Sequence, residues 1–260
     1  MKHIRIWPVG AIFGTLFALG AMASVPQQAS SAPNCNLQRN LVGVDLAGCD
    51  LRYANLSRAN LSGTNLSGAN LSDANFSYTD LSGANLSGTN LKGTNLEGAD
   101  LTKTNLNGAA LGLAPKWYGC KFAGANLTGA NLGIAGLIGC DFSGANLSKA
   151  TLGGANLGGA NLAGANLSDT DLDGTDMRSV DLSGAELRGA SLRSADLRKA
   201  NLTDANLSGA NLSGAILTYA TLDGANFANS DLTDTVRHPG IKLAEMEGAI
   251  GLDAAKGLID

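Results

Sequence analysis

From Leu46 onward a large apolar residue returns every five positions. The first block runs in fives from Leu46 to Leu111 and holds 14 such centres; the second runs from Phe122 to Leu232 and holds 23, so the phase breaks only once. Two residues before each centre sits a small residue, as in Ala54, Ala59, Thr64 and Ala69, with Asn or Asp between them. After the centre come a polar or small residue and then, most often, Gly or Asp. A period of five matches neither the 3.6 of a helix nor the 2 of an extended strand. It requires a bend in every repeat, and the Gly, Asn and Asp residues supply turn formers at that frequency. If each pentapeptide forms one side of a square, four sides close a coil of about 20 residues. The large centre and the small residue before it then point inward, because a narrow tube accepts a bulky side chain only beside a small one. Successive coils pair their backbones at the ~4.8 Å spacing of strands, so about nine coils give a rod roughly 45 Å long.

Composition agrees with a thin core. Only 5% of residues are aromatic and 15% charged, while 44% are hydrophobic. Too few aromatics are present for an ordinary globular interior, and too many aliphatics for a disordered chain. No coil buries its own core, so stability comes from stacking, and both ends require caps.

Tandem A-(N/D)-L-x-x resembles the signature of the pentapeptide-repeat family, over Leu46 to Leu232. That resemblance implies an all-β solenoid, a right-handed quadrilateral β-helix; the handedness comes from the resemblance and not from the period. The expected organisation is a signal peptide over 1–23, an N-terminal linker and cap over 24–40, the repeat over 41–236 and a C-terminal cap over 237–260. Lys2 and Arg5 precede an apolar run from Ile6 to Ala21, and Ala21-Met22-Ala23 reads as a cleavage signal. Loss of Lys2 and Arg5 takes the formal net charge from −4 to −6, and no stable membrane span is expected after cleavage. Leu243, Met246, Ala249 and Ile250 recur at helical spacing after Pro239, which predicts a short helical cap.

A filled tube has no cleft. The only histidines are His3 and His238, and no metal-ligand cluster, nucleophile triad or phosphate loop occurs, so no catalytic, cofactor or metal residues are assigned. Arg178, Arg188, Arg193, Arg198 and Lys199 gather late, alternating with Asp176, Asp181, Glu186 and Asp196. They read either as an anion site or as a self-neutralised solvated face. The abundant Asn-Leu-Ser and Asn-Leu-Thr triplets, at Asn55 and Asn126 for example, arise from the repeat and argue against a glycosylating route.

Specific function is expected where the repeat fails. Leu111 and Phe122 are separated by two pentapeptides plus one extra position. Trp117 is large for a slot built around Leu. A bulge that turns Trp117 and Tyr118 outward beside Lys116 would anchor a protein partner, with Ile134 and Ile138 widening the patch; the alternative is a ring packed over the irregularity. Two disulfides are candidates. Cys35 with Cys49 would pin the N-terminal cap. Cys120 with Cys140, four repeats apart, would join neighbouring coils, the alternative being thiols that act as slightly larger alanines. The function expected is a non-enzymatic structural or interaction scaffold in the periplasm or thylakoid lumen, resembling exported, cyanobacterial-type members of the family. The alternative is a DNA mimic acting on DNA gyrase, against which the leader and the mixed charge both stand. Nucleic-acid binding is not expected of a mildly acidic chain.

Overall fold

The computed structural model describes residues 41–112 and 117–235. The leader, Lys116 and both expected caps, over 24–40 and 237–260, lie outside the described residues.

The repeat winds into a solenoid. Parallel bridges link each Asn or Asp position to the one a coil later, from Asp45↔Asn65 to Asn211↔Asp231. Three backbone hydrogen bonds repeat on each side of the coil. Around Leu66 they are Leu66 N–H to Asn85 O (2.7 Å), Gly68 N–H to Ser87 O (2.8 Å) and Asn85 N–H to Thr64 O (2.9 Å). Every repeat then turns: Ala69 N–H donates to Leu66 O at 3.0 Å. The third residue of this turn is Gly68, at φ +63°, the left-handed conformation that a type II turn demands. This is why the second position after each centre favours Gly and Asp.

The interior consists of the centres and the small residues beside them; Leu66, Leu86 and Leu106 are fully buried. Threonine fits the small inward position because its hydroxyl finds a carbonyl. Thr64 Oγ1 donates to Leu41 O at 2.6 Å, and Thr94 Oγ1 to Leu91 O at 2.6 Å. Among the described residues no buried side-chain polar atom lacks a partner, as a core this narrow requires.

Outside, the Asn side chains serve the fold. Asn65 Oδ1 accepts the Ser67 backbone N–H at 3.2 Å, and Asn85 Nδ2 donates to Asn65 Oδ1 at 3.2 Å. Each such Asn closes a local turn and links one coil to the next.

The centres form four columns, one for each side of the coil. One runs through Leu96, Trp117, Leu137, Leu157 and Met177 and defines the Trp117 face; the next side of the same coils carries Phe122 and Phe142. Among the described residues the coil length changes at one place. Asn90 pairs with Ala110, four pentapeptides on. Asp100 instead pairs with Lys121, four pentapeptides and one position on, and Lys121 pairs with Asp141 at the ordinary spacing again. One extra residue therefore enters between Leu111 and Trp117, and the ladder resumes below it.

Candidate functional site at the register break

Trp117 is fully buried. It occupies the centre directly before Phe122, which corrects the expectation of an outward ring. Its backbone N–H donates to Gly136 O at 2.7 Å, as the N–H of an ordinary centre would. The indole Nε1–H donates to Thr94 O at 2.8 Å. Its ring lies 6.2 Å from Phe122, which stacks on Phe142 at 4.7 Å. Trp117 can stay inside because its one polar atom finds a carbonyl and its ring packs beside that of Phe122. The sequence held this signal, since Trp117 stands one pentapeptide before Phe122, in phase with the second block.

Cys120 and Cys140 lie on the corner after Trp117 and are joined in a disulfide, with Cα atoms 4.9 Å apart. Cys140 Sγ lies 2.7 Å from the Trp117 carbonyl oxygen; a disulfide sulfur carries no proton, so this is a contact and not a donated bond. The bridge ties the coil that follows the insertion to the next one. Cys49 is also disulfide-bonded, while Cys35 lies outside the described residues.

The remaining patch residues are exposed: Tyr118 by 43%, Ile138 by 39% and Ile134 by 67%. Tyr118 and Ile138 share the Trp117 face, one coil apart, and Ile134 sits one turn earlier, around the corner. Ile134 holds φ +61°. A β-branched residue strongly disfavours that conformation, and the side chain gains little burial in return.

Below Ile138 the Trp117 face continues through Gly158 to Arg178 and Arg198. A depression of about 510 Å³ opens there, floored by Gly158 and Gly159 and bounded by Ile138, Arg178, Arg198 and Lys199. The late cations are not one cluster. Arg178 and Arg198 share this face, whereas Arg188 and Arg193 lie on two others. Most are matched by acids: Arg178 to Asp176 (2.6 Å) and Asp196 (3.8 Å), Arg198 to Asp196 (2.6 Å), Arg188 to Glu186 (3.3 Å) and Arg193 to Asp173 (2.5 Å). Hydrogen bonds from Arg178 and Arg198 hold the Asp176 and Asp196 carboxyls below their usual range. At Asp173 burial opposes ionisation, but hydrogen bonds from Arg193 and Ser191 overcome it and the carboxyl is again lowered. Lys199 has no ion-pair partner among the described residues. Three cations against two carboxylates leave the depression with a small positive excess.

Among the described residues no group of three or more His, Cys, Asp and Glu is placed to hold a metal ion, and no helix is long and apolar enough to cross a membrane.

The sequence pattern of the pentapeptide repeats matches residues 40–77, 79–114, 118–154, 140–178, 155–193 and 195–234. The chain belongs to the pentapeptide-repeat family. Pentapeptide-repeat proteins share the right-handed quadrilateral β-helix and are generally non-catalytic structural or interaction scaffolds. Among solved structures the chain is similar to HetL, a pentapeptide-repeat protein involved in heterocyst differentiation regulation from the cyanobacterium Nostoc, at 28% identity, over 86% of this chain and 94% of that one, TM-score 0.36. A pentapeptide-repeat protein of the Arabidopsis thaliana thylakoid lumen matches at 33% identity over 47% of this chain and 85% of its own, TM-score 0.42. QnrB1, a plasmid-mediated fluoroquinolone resistance protein, matches at 20% identity over 84% and 91%, TM-score 0.36. No curated protein matches.

Proposed function

We propose that this pentapeptide-repeat protein is an exported, non-enzymatic scaffold that docks a protein partner at the register break, through Tyr118, Ile138 and Ile134. The rod comprises about nine coils, and the helical spacing of Leu243, Met246, Ala249 and Ile250 supports a cap over 237–260. The observation that carries the docking site is Ile134: a β-branched side chain at φ +61° and 67% exposed. Gly at that place would cost the fold less, so the side chain is accounted for by something outside the fold. Export to the periplasm or thylakoid lumen rests on the basic, apolar and small-residue order of residues 1–23.

Two experiments test the reading. Fractionation of cells expressing the full chain should find a shortened product outside the cytoplasm; a full-length cytoplasmic product would favour the gyrase-directed alternative. Capture from that compartment should retain a partner on wild type that Tyr118→Ser and Ile138→Ser both lose. Equal recovery on wild type and both variants removes the docking site.

A further inference from the structure

The depression below Ile138 has a chemistry of its own. Three successive turn positions on this face are Gly119, Gly139 and Gly159, and at none of them would a Cβ meet an atom within 4 Å. They leave an open edge that runs parallel to the rod. Beside it lie, in order down the face, Tyr118, Ile138, Gly158, Arg178 and Arg198, with Lys199 at the foot of the edge. The upper end is apolar, the middle is vacant and the lower end carries the net positive charge.

We infer that this trough takes an extended, acidic segment of a partner protein, with an apolar side chain seated over Gly158 and carboxylates two and four residues away beside Arg178, Arg198 and Lys199. The inference rests on the reading of Tyr118 and Ile138 as a docking site. The spacing is that of an extended strand. Side chains at i and i+2 point the same way, about 7 Å apart, and those at i and i+4 about 13 Å apart. Measured from Gly158, Arg178 lies one coil down, ~5 Å, and Arg198 two coils, ~10 Å. Carboxylates at i+2 and i+4 therefore overshoot the two arginine levels by about 2 and 3 Å, a difference that the length of the arginine and glutamate side chains spans. Arg178 and Arg198 are already hydrogen-bonded to Asp176 and Asp196, which leaves N–H donors over on each fork. Lys199 adds a charge that no carboxylate of the described chain neutralises. A nucleic acid would need a far broader basic field than one net charge.

The probes are two labelled synthetic peptides, acetyl-Phe-Ser-Glu-Ser-Glu-amide and its reverse order, titrated against the full chain. One of them should saturate with half-binding below about 1 mM, weaken in high salt, and lose affinity at least fivefold when Gln replaces Glu or Ala replaces Phe. Gly158→Arg fills the trough with the side chain that the same position already carries at Arg178, and Lys199→Glu reverses the lone charge. Each should weaken binding at least fivefold, with the thermal transition retained. Should Gly158→Arg fail to fold, Ile138→Ser together with Lys199→Glu makes the same test. The inference is overturned if neither peptide saturates, if both variants bind as wild type does, or if anionic phosphatidylserine vesicles or single-stranded DNA compete for the same face more strongly than the peptides bind. If the captured partner is lost with Tyr118→Ser and Ile138→Ser but kept by Gly158→Arg and Lys199→Glu, the trough falls and the docking site stands.

Discussion

The indole Nε1–H of Trp117 donates to the carbonyl oxygen of Thr94 at 2.8 Å, across the place where the coil gains a residue. The bond ties the first centre after the added residue to the backbone of the preceding coil. Trp117→Phe keeps an aromatic ring but loses the bond to Thr94 O, at a cost of about 1 kcal/mol. Trp117→Ala adds a cavity and should cost about 3–5 kcal/mol. Urea denaturation of both variants checks the order. Acrylamide should quench Trp117 emission weakly in the native state; strong quenching would place the ring outside.

The Cys120–Cys140 disulfide joins positions at a sequence separation of 20. A loop of that size is worth about 3 kcal/mol through the unfolded chain. Cys120→Ser with Cys140→Ser should lower stability by about 2–4 kcal/mol. Thiol titration of denatured, unreduced protein should find neither sulfur reactive, whereas two reactive thiols at these positions would remove the bridge.

Ile134 should trade stability for binding. Ile134→Gly relieves a β-branched residue at φ +61° and should raise stability by about 1 kcal/mol. The same change should weaken partner capture. A variant that is less stable, or more stable with capture intact, would separate the strain from any role.

Acid should loosen the lower half of the rod first. Asp173, Asp176 and Asp196 titrate below their usual range in the folded chain, held there by arginine hydrogen bonds. A carboxyl lowered on folding stabilises fully above its unfolded value, ~3.9, and loses that contribution as pH falls through the folded value. The urea midpoint should therefore stay level from about pH 8 to 5 and fall below about pH 4. Asp173→Asn, Asp176→Asn and Asp196→Asn together should shallow that fall; because the pairs are largely exposed, the effect at neutral pH should be small.

Much of the fold was legible because a strict period leaves one geometry. Leu beside Ala at every fifth residue placed the core, and the Leu111-to-Phe122 spacing located the added residue. The sequence left the side of Trp117 open, because side-chain size alone argues against a Leu slot, while the deciding quantity is whether the indole N–H has an acceptor. That acceptor, Thr94 O, lies more than a full coil back along the chain and comes near only when the coil closes. The strain at Ile134 was illegible for a similar reason. Position alone marks a turn, but φ becomes visible only once the backbone is drawn. The late arginines looked like one cluster in sequence, and the winding of the coil distributed them over three faces.

The most direct test of the docking site is site-specific photo-crosslinking in cells. A photoreactive phenylalanine at position 138 should yield one dominant crosslinked protein that Tyr118→Ser removes, while the same group at position 148, on another face, yields none. Equal products from both positions, or none from 138, would contradict a partner site at the register break.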